Sequence, residues 1–421
     1  MEEQVLPANG MRSGPYKFEL VAKNDSVLDL SQTTMDIRFK VVGADGAPVP
    51  ALRTGEGKIA LAGNPISSLW RRIEVRINDQ VVNVESSRNV SYKGLFEDWL
   101  AFRPDERAEV QGVGKKNFVP AHRNRVPVDP TLKLSIMDYK NREDMADGRE
   151  VQLVGRVPVD FLGANHYLSP RTRVSLTFFR NTDDFTLINH PEGAKIKITD
   201  IVMHTRRIAV TSEVRSLVPQ RGEDRKEVYH SKFGLVKDYQ VPQGALRWNQ
   251  HVILGDGRLP KFVMVGMVKV NAFTGADNRA DPFFFEHFDV NHLSLRAGNQ
   301  YYPRKPYTPH RVGYKLKDDH QNYKNGGNRE YYSLFSQTGK LHHFITPEQF
   351  AEGSTVFPFN LTPDLASLNS PVIQLAPRGP MSIEIGFAKP LPQTIALVVY
   401  MLYDQTISIE GPTGLPREEQ F

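Results

Sequence analysis

The stretch YKGLF at residues 92–96 recurs with small changes as YYSLF at residues 331–335. Five residues are weak support for a duplication by themselves, so the surroundings of the two stretches decide the matter. An alternating apolar segment and a turn ending in Gln80 precede the first stretch. A similar segment and a turn ending in Gln300 precede the second. The matching surroundings predict that one fold is used twice in this chain.

The agreement continues downstream of both stretches. Pro170 and Pro392 are separated by nearly the same interval as the two glutamines, and each follows a strand and a loop and leads into a long final strand. The alternative to duplication is that two unrelated β-sandwiches of similar topology have similar strand and turn patterns. That alternative also predicts two domains. A turn-rich stretch at 189–195 ends the first half of the sequence. We expect the alternating strand that follows it to begin the second half. We therefore predict two domains, residues 1–190 and 191–421, each long enough to bury a full core.

Apolar and polar residues alternate along much of the chain, which predicts half-buried β-strands. The clearest examples are TMDIRFKVVG (34–43), RRIEVRIND (71–79), RTRVSLTFFRN (171–181), KIKITDIVM (195–203) and MSIEIGF (381–387). Helical patterns are few and short, with candidates at residues 91–102 and 346–353. Long polar loops are expected at about 103–150 and 303–330. Many strands, few helices and long loops predict an all-β sandwich or barrel.

Composition excludes several classes of protein. The chain of 421 residues has no cysteine, which excludes disulfides, thiolate zinc sites and a cysteine nucleophile. Its N-terminal segment includes acidic residues and no apolar core segment, so we expect no secretory signal. The longest apolar run, IALVVYMLY at 395–403, has the length of a strand rather than of a membrane span. A net charge of +5 gives only mild attraction to polyanions.

The segment FFFEHFDVNH (283–292) is the strongest metal-site candidate, and it falls short. In a strand, His287 and Asp289 would share a face, whereas His292 has the opposite parity. A metal needs three or four convergent ligands. Serine-hydrolase, zinc-protease and P-loop motifs do not occur in the sequence. We therefore predict no catalytic, cofactor-binding or metal-binding residues and no enzyme activity.

Seven stretches of the sequence are informative when taken together: SLWRRIEVRIND, SYKGLFEDWL, VGRVPVDFLGANHYLSPRTRVSLTFFRNTDDFTL, KITDIVMHTRRIAV, GDGRLPKFVMVGMV, NAFTGADNRADPFFFEHFDVNHLSL and FNLTPD. They resemble the double jelly-roll major capsid proteins of tailless icosahedral double-stranded DNA viruses and Polinton-type elements. The resemblance runs from about residue 60 to 405. A Leu-Pro turn is expected in each half: Ser169-Pro170 stands at that place in the first half and departs from the pattern, whereas Leu391-Pro392 matches it in the second.

This resemblance implies two tandem eight-stranded jelly rolls with long loops and a few short helices. It implies a structural major capsid protein that self-assembles as trimeric, pseudo-hexameric capsomers into an icosahedral shell around double-stranded DNA. The expected location is the virion, after assembly inside the host cell. Expected partners are further copies of the chain and penton or minor capsid proteins. The expected trimer contacts are aromatic residues that follow strands, which are equally compatible with domain core: Trp99, Phe102, Tyr301 and Tyr302.

Three other hypotheses stay open at this point. Basic stretches with aromatic or apolar neighbours, at 122–126, 204–210 and 304–317, are compatible with non-specific contact with packaged DNA. A vertex or minor capsid protein, with one jelly roll and a large inserted domain in a pentamer, is disfavoured by the internal repeat. A two-sandwich carbohydrate-binding protein would be expected to carry a signal peptide and aromatic clusters, and this chain has three tryptophans.

Overall fold

The chain folds into two β-sandwiches, described here from a computed structural model. The structure describes residues 2–8, 10, 14–23, 25–49, 59–84, 89–101, 148–164, 166–170, 172–213, 226–252, 257–309, 327–339, 345, 350–351, 353–363, 365, 367–368, 378–410 and 415–419. The predicted helix at 346–353 and the predicted loops at 103–150 and 303–330 lie largely outside these residues.

The first sandwich, called the first roll, consists of two four-stranded antiparallel sheets. Sheet 1a has the order β1-β10-β3-β7, and sheet 1b has the order β2-β8-β5-β6. A further two-stranded sheet joins β4 to β9. The strands are β1 (Glu2–Val5), β2 (Tyr16–Val21), β3 (Ser26–Val42), β4 (Ala60–Leu61), β5 (Trp70–Ile77), β6 (Gln80–Val84), β7 (Val151–Arg156), β8 (Arg173–Arg180), β9 (Leu187–Ile188) and β10 (Lys195–Ala209).

The second sandwich, called the second roll, has the same plan. Sheet 2a has the order β11-β18-β13-β16, and sheet 2b has the order β12-β17-β14-β15; β19 adds to β18. The strands are β11 (Lys226–Val241), β12 (Arg247–His251), β13 (Phe262–Lys269), β14 (Val290–Ala297), β15 (Gln300–Tyr307), β16 (Val356–Asn360), β17 (Met381–Phe387), β18 (Ile395–Glu410) and β19 (Pro416–Glu419).

The two rolls follow the same path between their sheets. In each, eight strands visit the sheets in the order a, b, a, b, b, a, b, a, and they occupy the same places within the sheets. Two sheets joined in this Greek-key manner form a jelly roll. The predicted all-β class with two tandem eight-stranded jelly rolls is therefore confirmed.

Short helices connect the strands, and two of them contain the repeated sequence. The first-roll helix, Asn89–Ala101, follows the fifth of the eight strands of its roll and contains YKGLF. The second-roll helix, Asn328–Ser336, follows the fifth strand of its own roll and contains YYSLF. The repeated sequence thus occupies equivalent places in the two rolls. The other described helices are Pro65–Ser68, Asp183–Thr186 and Val270–Thr274, with a 3₁₀ turn at Asp160–Gly163.

The turns that end in Gln80 and Gln300 are also equivalent. Asn78 and Asp79 connect β5 to β6 with φ angles of 48° and 68°, which are the left-handed values that a two-residue type I′ hairpin turn requires. In the second roll a two-residue turn connects β14 to β15 at the same place, and Gly298 supplies the positive φ of 58°.

The strand at Lys195–Ala209 lies in the first roll, so the expectation that it opens the second half is wrong. It pairs antiparallel with β3 over most of its length and with β1 at Met203–Arg206. A jelly roll needs this last strand between its first and third strands, and local alternation carries no information about such a distant partner. We propose that the division between the domains lies at 210–225 rather than at residue 190.

Three apolar clusters of the described residues hold the chain together. Two fill the interiors of the sandwiches, and the third lies between the rolls. Strand β18 explains why the third exists, because its apolar run is buried on both faces. Leu397 and Val399 point into the second roll, whereas Val398 and Tyr400 point towards the first. A strand buried on both faces shows a continuous apolar run instead of alternation.

Candidate functional site at the junction of the two rolls

The first-roll helix packs its aromatic side against sheet 2a. The ring of Phe96 lies 5.5 Å from that of Phe285 and 5.8 Å from that of Tyr400. Tyr92 lies 5.0 Å from the ring of Phe283, and its hydroxyl donates a hydrogen bond of 2.6 Å to the Pro282 carbonyl. Aromatic pairs at these distances add stabilisation beyond the area they bury. The junction is therefore a packed core and not a loose contact between domains.

Trp99 belongs to this core. Its side chain is 5% exposed, and its ring lies 5.7 Å from Phe285 and 5.8 Å from Phe96. The chain itself covers this side chain, which favours the alternative of domain core over a trimer contact for Trp99. Phe102, the next predicted contact, lies outside the described residues.

A ribbon formed by strands β11 and β18, with β19 paired to β18 at one end, makes a second connection between the rolls. Strands β11 and β18 pair from Lys226↔Glu410 to Val241↔Ile395, and the end near Glu410 reaches the first roll. There the side chains of three ribbon residues join the first-roll core: Tyr229, Ile407 and Ile409. The Tyr229 hydroxyl donates a hydrogen bond of 3.0 Å to Glu227, and burial raises the pKa of this phenol. The second half of the sequence thus completes the core of the first.

A buried charge cluster lies beside this junction. The Lys93 Nζ atom is 2.6 Å from Asp160 Oδ2 and 4.0 Å from Glu97 Oε1. The Lys93 side chain is 0% exposed and that of Asp160 is 7% exposed. The Gly234 amide of β11 donates a hydrogen bond of 3.2 Å to Asp160 Oδ2. Strand and helix approach closely here, since a Cβ atom on Gly234 would lie 2.7 Å from Glu97 Oε1.

Burial controls the protonation of this cluster. Loss of water around Asp160 raises the pKa of its carboxyl to about 7; the ammonium group of Lys93 opposes this rise, and the carboxylate of Glu97 adds to it. The Asp160 carboxyl therefore keeps its proton to a higher pH than a solvent-exposed aspartate does.

The second-roll helix presents a contrasting surface at the equivalent position. Tyr332 occupies the place in YYSLF that Lys93 occupies in YKGLF. The chain covers Lys93 completely, whereas Tyr332 is 67% exposed and is among the most exposed large apolar side chains of the described residues. Its neighbour Leu334 is buried, so the helix is anchored while Tyr332 faces outward.

The predicted contacts Tyr301 and Tyr302 lie on the edge strand β15. Tyr301 is exposed, and the guanidinium group of Arg296 lies 5.9 Å from the centre of its ring. Tyr302 is half-buried against the second-roll core and donates a hydrogen bond of 2.9 Å to the Gln300 side chain. The structure thus leaves the ring of Tyr301 accessible and uses part of Tyr302 inside the chain.

The segment at 283–292, the strongest metal-site candidate of the sequence, forms local pairs. Glu286 pairs with Lys269 at 3.1 Å, and the Asp289 backbone amide donates a hydrogen bond of 3.0 Å to His287 Nδ1. His292 lies within 3.3 Å of the hydroxyl group of Ser294. Within the described part of the chain, no three acidic or histidine side chains form a group that could hold a metal ion. Nor does any helix in that part have the length and apolar character to cross a membrane.

The basic stretches are only partly described. The stretch at 122–126 and most of 304–317 lie outside the described residues. In the remaining stretch, residues 204–210, basic side chains pair with acidic residues of strand β1. His204 lies 3.1 Å from Glu2, and Arg207 forms an ion pair with Glu3. Part of the positive charge at 204–210 is therefore neutralised within the chain.

Solved structures resemble this chain over its whole length. A quasi-atomic model of the PBCV-1 virus capsid has a TM-score of 0.58 at 10% identity and is matched over 97% of its own chain. A structure of the Sputnik virophage gives 0.57 at 13% identity over 88% of its chain. The crystal structure of the mavirus major capsid protein gives 0.55 at 10% identity over 90% of its chain.

Each of these three matches covers 100% of the present chain. No protein-family model matches the sequence, and no curated protein matches it. At such identities the likeness is one of fold. The chain therefore shares, from end to end, the two-roll fold of the PBCV-1 virus capsid and of the mavirus major capsid protein.

Proposed function

We propose that this protein is a major capsid protein whose activity is self-assembly into an icosahedral shell. The carrying observation is that two rolls of identical strand order fill one chain, and that this whole-chain arrangement matches capsid structures. The proposal assigns the protein to the virion, with further copies of itself as its main partner. It includes contact with penton or minor capsid proteins at the vertices, non-specific contact with packaged DNA, and no action on an external substrate.

The proposed building block is a trimer. Three chains with two equivalent rolls each supply six similar units, which suit a site of six-fold outline in a closed shell. In such a ring, every roll contacts a roll on each side. Half of these contacts are the junction inside each chain, and the other half lie between chains.

The junction within the chain supports a specific proposal for the contact between chains. Inside the chain, the first-roll helix covers β11 and β18, the first and last strands of the second roll. Strands β1 and β10 are the first and last strands of the first roll, equivalent to β11 and β18. If the contact between helix and strands is repeated around the ring, the second-roll helix of one copy packs on β1 and β10 of the next. Tyr332, exposed at the position of the covered Lys93, is then the central contact. Tyr301 and Tyr302 remain proposed contacts on the same roll.

The outer face of sheet 1a has the character of such a contact surface. Val154 on β7 is exposed, and Val202 and His204 on β10 are half-buried. The equivalent face of sheet 2a is covered by the first roll and is more apolar. A mixed face that is solvated before assembly and covered afterwards fits an interface between subunits that fold first and associate later.

Light scattering on the purified protein tests the proposal. One chain has a mass of 47.7 kDa, and a trimer has three times that mass. A trimer, or larger shells built from trimers, is the expected result. A pentamer, with five times the chain mass, would favour the vertex protein instead. A monomer that persists at all concentrations would overturn every capsid function.

A further inference from the structure

The buried cluster of Lys93, Asp160 and Glu97 has a geometry suited to a covalent reaction. An amine nitrogen stands 2.6 Å from a carboxyl oxygen, and a second carboxylate stands 4.0 Å from the same nitrogen. The first two side chains are almost completely buried, and the third is partly exposed. Close, fixed partners gain a large rate advantage over the same groups free in water.

The surroundings favour the reactive protonation states. Moving one proton from the Lys93 ammonium to the Asp160 carboxylate gives a neutral amine and a neutral carboxylic acid without changing the net charge. Burial penalises both charged forms, so the neutral pair gains relative to the ion pair. The raised pKa of Asp160, about 7, agrees with a carboxyl group that holds a proton near neutral pH. A neutral amine is a nucleophile, and a neutral carboxylic acid is a far better electrophile than a carboxylate.

We propose that Lys93 and Asp160 form an intramolecular isopeptide bond, with Glu97 as the catalytic residue. The Lys93 nitrogen attacks Cγ of Asp160, and the Gly234 amide, 3.2 Å from Oδ2, stabilises the negative charge that develops on that oxygen. Glu97 takes a proton from the nitrogen and delivers a proton to the departing hydroxyl group. The C–N bond forms, the C–O bond breaks, and one water molecule leaves. No oxidant, metal or second protein is required.

The bond would tie the first-roll helix to the 3₁₀ turn that follows β7. Its two residues are 67 positions apart, so it would close a long covalent loop. A cross-link of this kind limits the freedom of the unfolded chain as a disulfide does. This chain has no cysteine with which to make a disulfide. The inference does not rest on the capsid proposal, since the reaction takes place within one chain.

Mass spectrometry of the purified full-length protein tests the inference directly. The expected result is an intact mass lower than the sequence mass by one water, with a proteolytic fragment that joins the peptides of Lys93 and Asp160. An intact mass equal to the sequence mass would overturn the inference. Water loss that maps to any other pair would overturn it equally.

Two variants separate the proposed chemistry from simple packing. Glu97→Gln keeps the size of the side chain and removes the base, so we expect cross-linking to slow by about a hundredfold or more, the usual contribution of general acid–base catalysis. A Glu97→Gln protein that cross-links as completely as the native chain would remove Glu97 from the mechanism. The matched control is Lys261→Met, which deletes another buried ion pair, that of Lys261 with Asp404. We expect this control to retain the full loss of water.

Discussion

Removal of the Tyr332 ring is expected to break the trimer while leaving the chain folded. A tyrosine side chain buries about 200 Å² when fully covered. With 67% of it exposed in the single chain, roughly 130 Å² is available for burial between subunits. At about 25 cal/mol per Å², this corresponds to about 3 kcal/mol per contact, or roughly a hundredfold in affinity. Tyr332→Ala should therefore shift the trimer to monomer at low micromolar concentrations.

Sedimentation velocity over a concentration series measures this shift. The matched control is Tyr167→Ala, since Tyr167 is 56% exposed on the first roll and lies outside the proposed contact. The control should trimerise as the native protein does, and both variants should keep the native melting temperature within a few degrees. A Tyr332→Ala protein that trimerises with native affinity would refute the argument that the inner junction is repeated between chains.

Three further predictions concern stability. Val75→Asp and Val398→Asp should each abolish soluble expression, because both side chains are at most 1% exposed and an unpaired buried charge costs several kcal/mol. If either variant is soluble and assembles, the strand registers are wrong. Phe285→Ala should lower the free energy of unfolding by about 3–5 kcal/mol, because the Phe285 ring contacts three aromatic rings of the first-roll helix. Denaturant titration measures this change, and a loss below about 1 kcal/mol would contradict a packed junction. In freshly purified Glu97→Gln, where cross-linking is slowed, most Asp160 is still a free carboxyl group, and burial raises its pKa above the unfolded value of about 4. The stabilising contribution of protonated Asp160 is present below about pH 4 and is lost as the pH rises towards 7. The melting temperature of Glu97→Gln should therefore fall across this range, relative to the double variant Glu97→Gln with Asp160→Asn. Equal pH profiles of the two proteins would contradict this prediction.

The sequence predicted the fold where local signals were strong. The strand at Trp70–Ile77 and the long strand at Ile395–Glu410 contain the predicted patterns, and the two repeated stretches lie in equivalent helices. Strand Lys195–Ala209 was assigned to the wrong half because alternation identifies a strand without naming its partner. Which half a strand joins is decided by pairing between segments that lie far apart in the sequence.

The site was harder to predict, and the reason differs between residues. Trp99 is covered by Phe285, which comes much later in the chain, so no local pattern could reveal its burial. A lone lysine in a helix gives no sign of a distant aspartate, and so the pairing of Lys93 with Asp160 was missed. Tyr332 could have been found, because aligning YKGLF with YYSLF places a large aromatic residue opposite a lysine.

The ribbon that carries Ile407 and Ile409 into the first-roll core has a consequence for the order of folding. During synthesis the N-terminal roll leaves the ribosome first, and N-terminal units usually fold first. Here, part of its core is supplied by β18, which follows β10 only after seven other strands of the second roll. The first roll therefore waits for the C-terminal strand before its core can close, and contacts of such long range make folding slow. A nascent chain stalled before residue 400 should leave the first roll open to proteolysis, so that only chains that include β18 become competent to fold and associate.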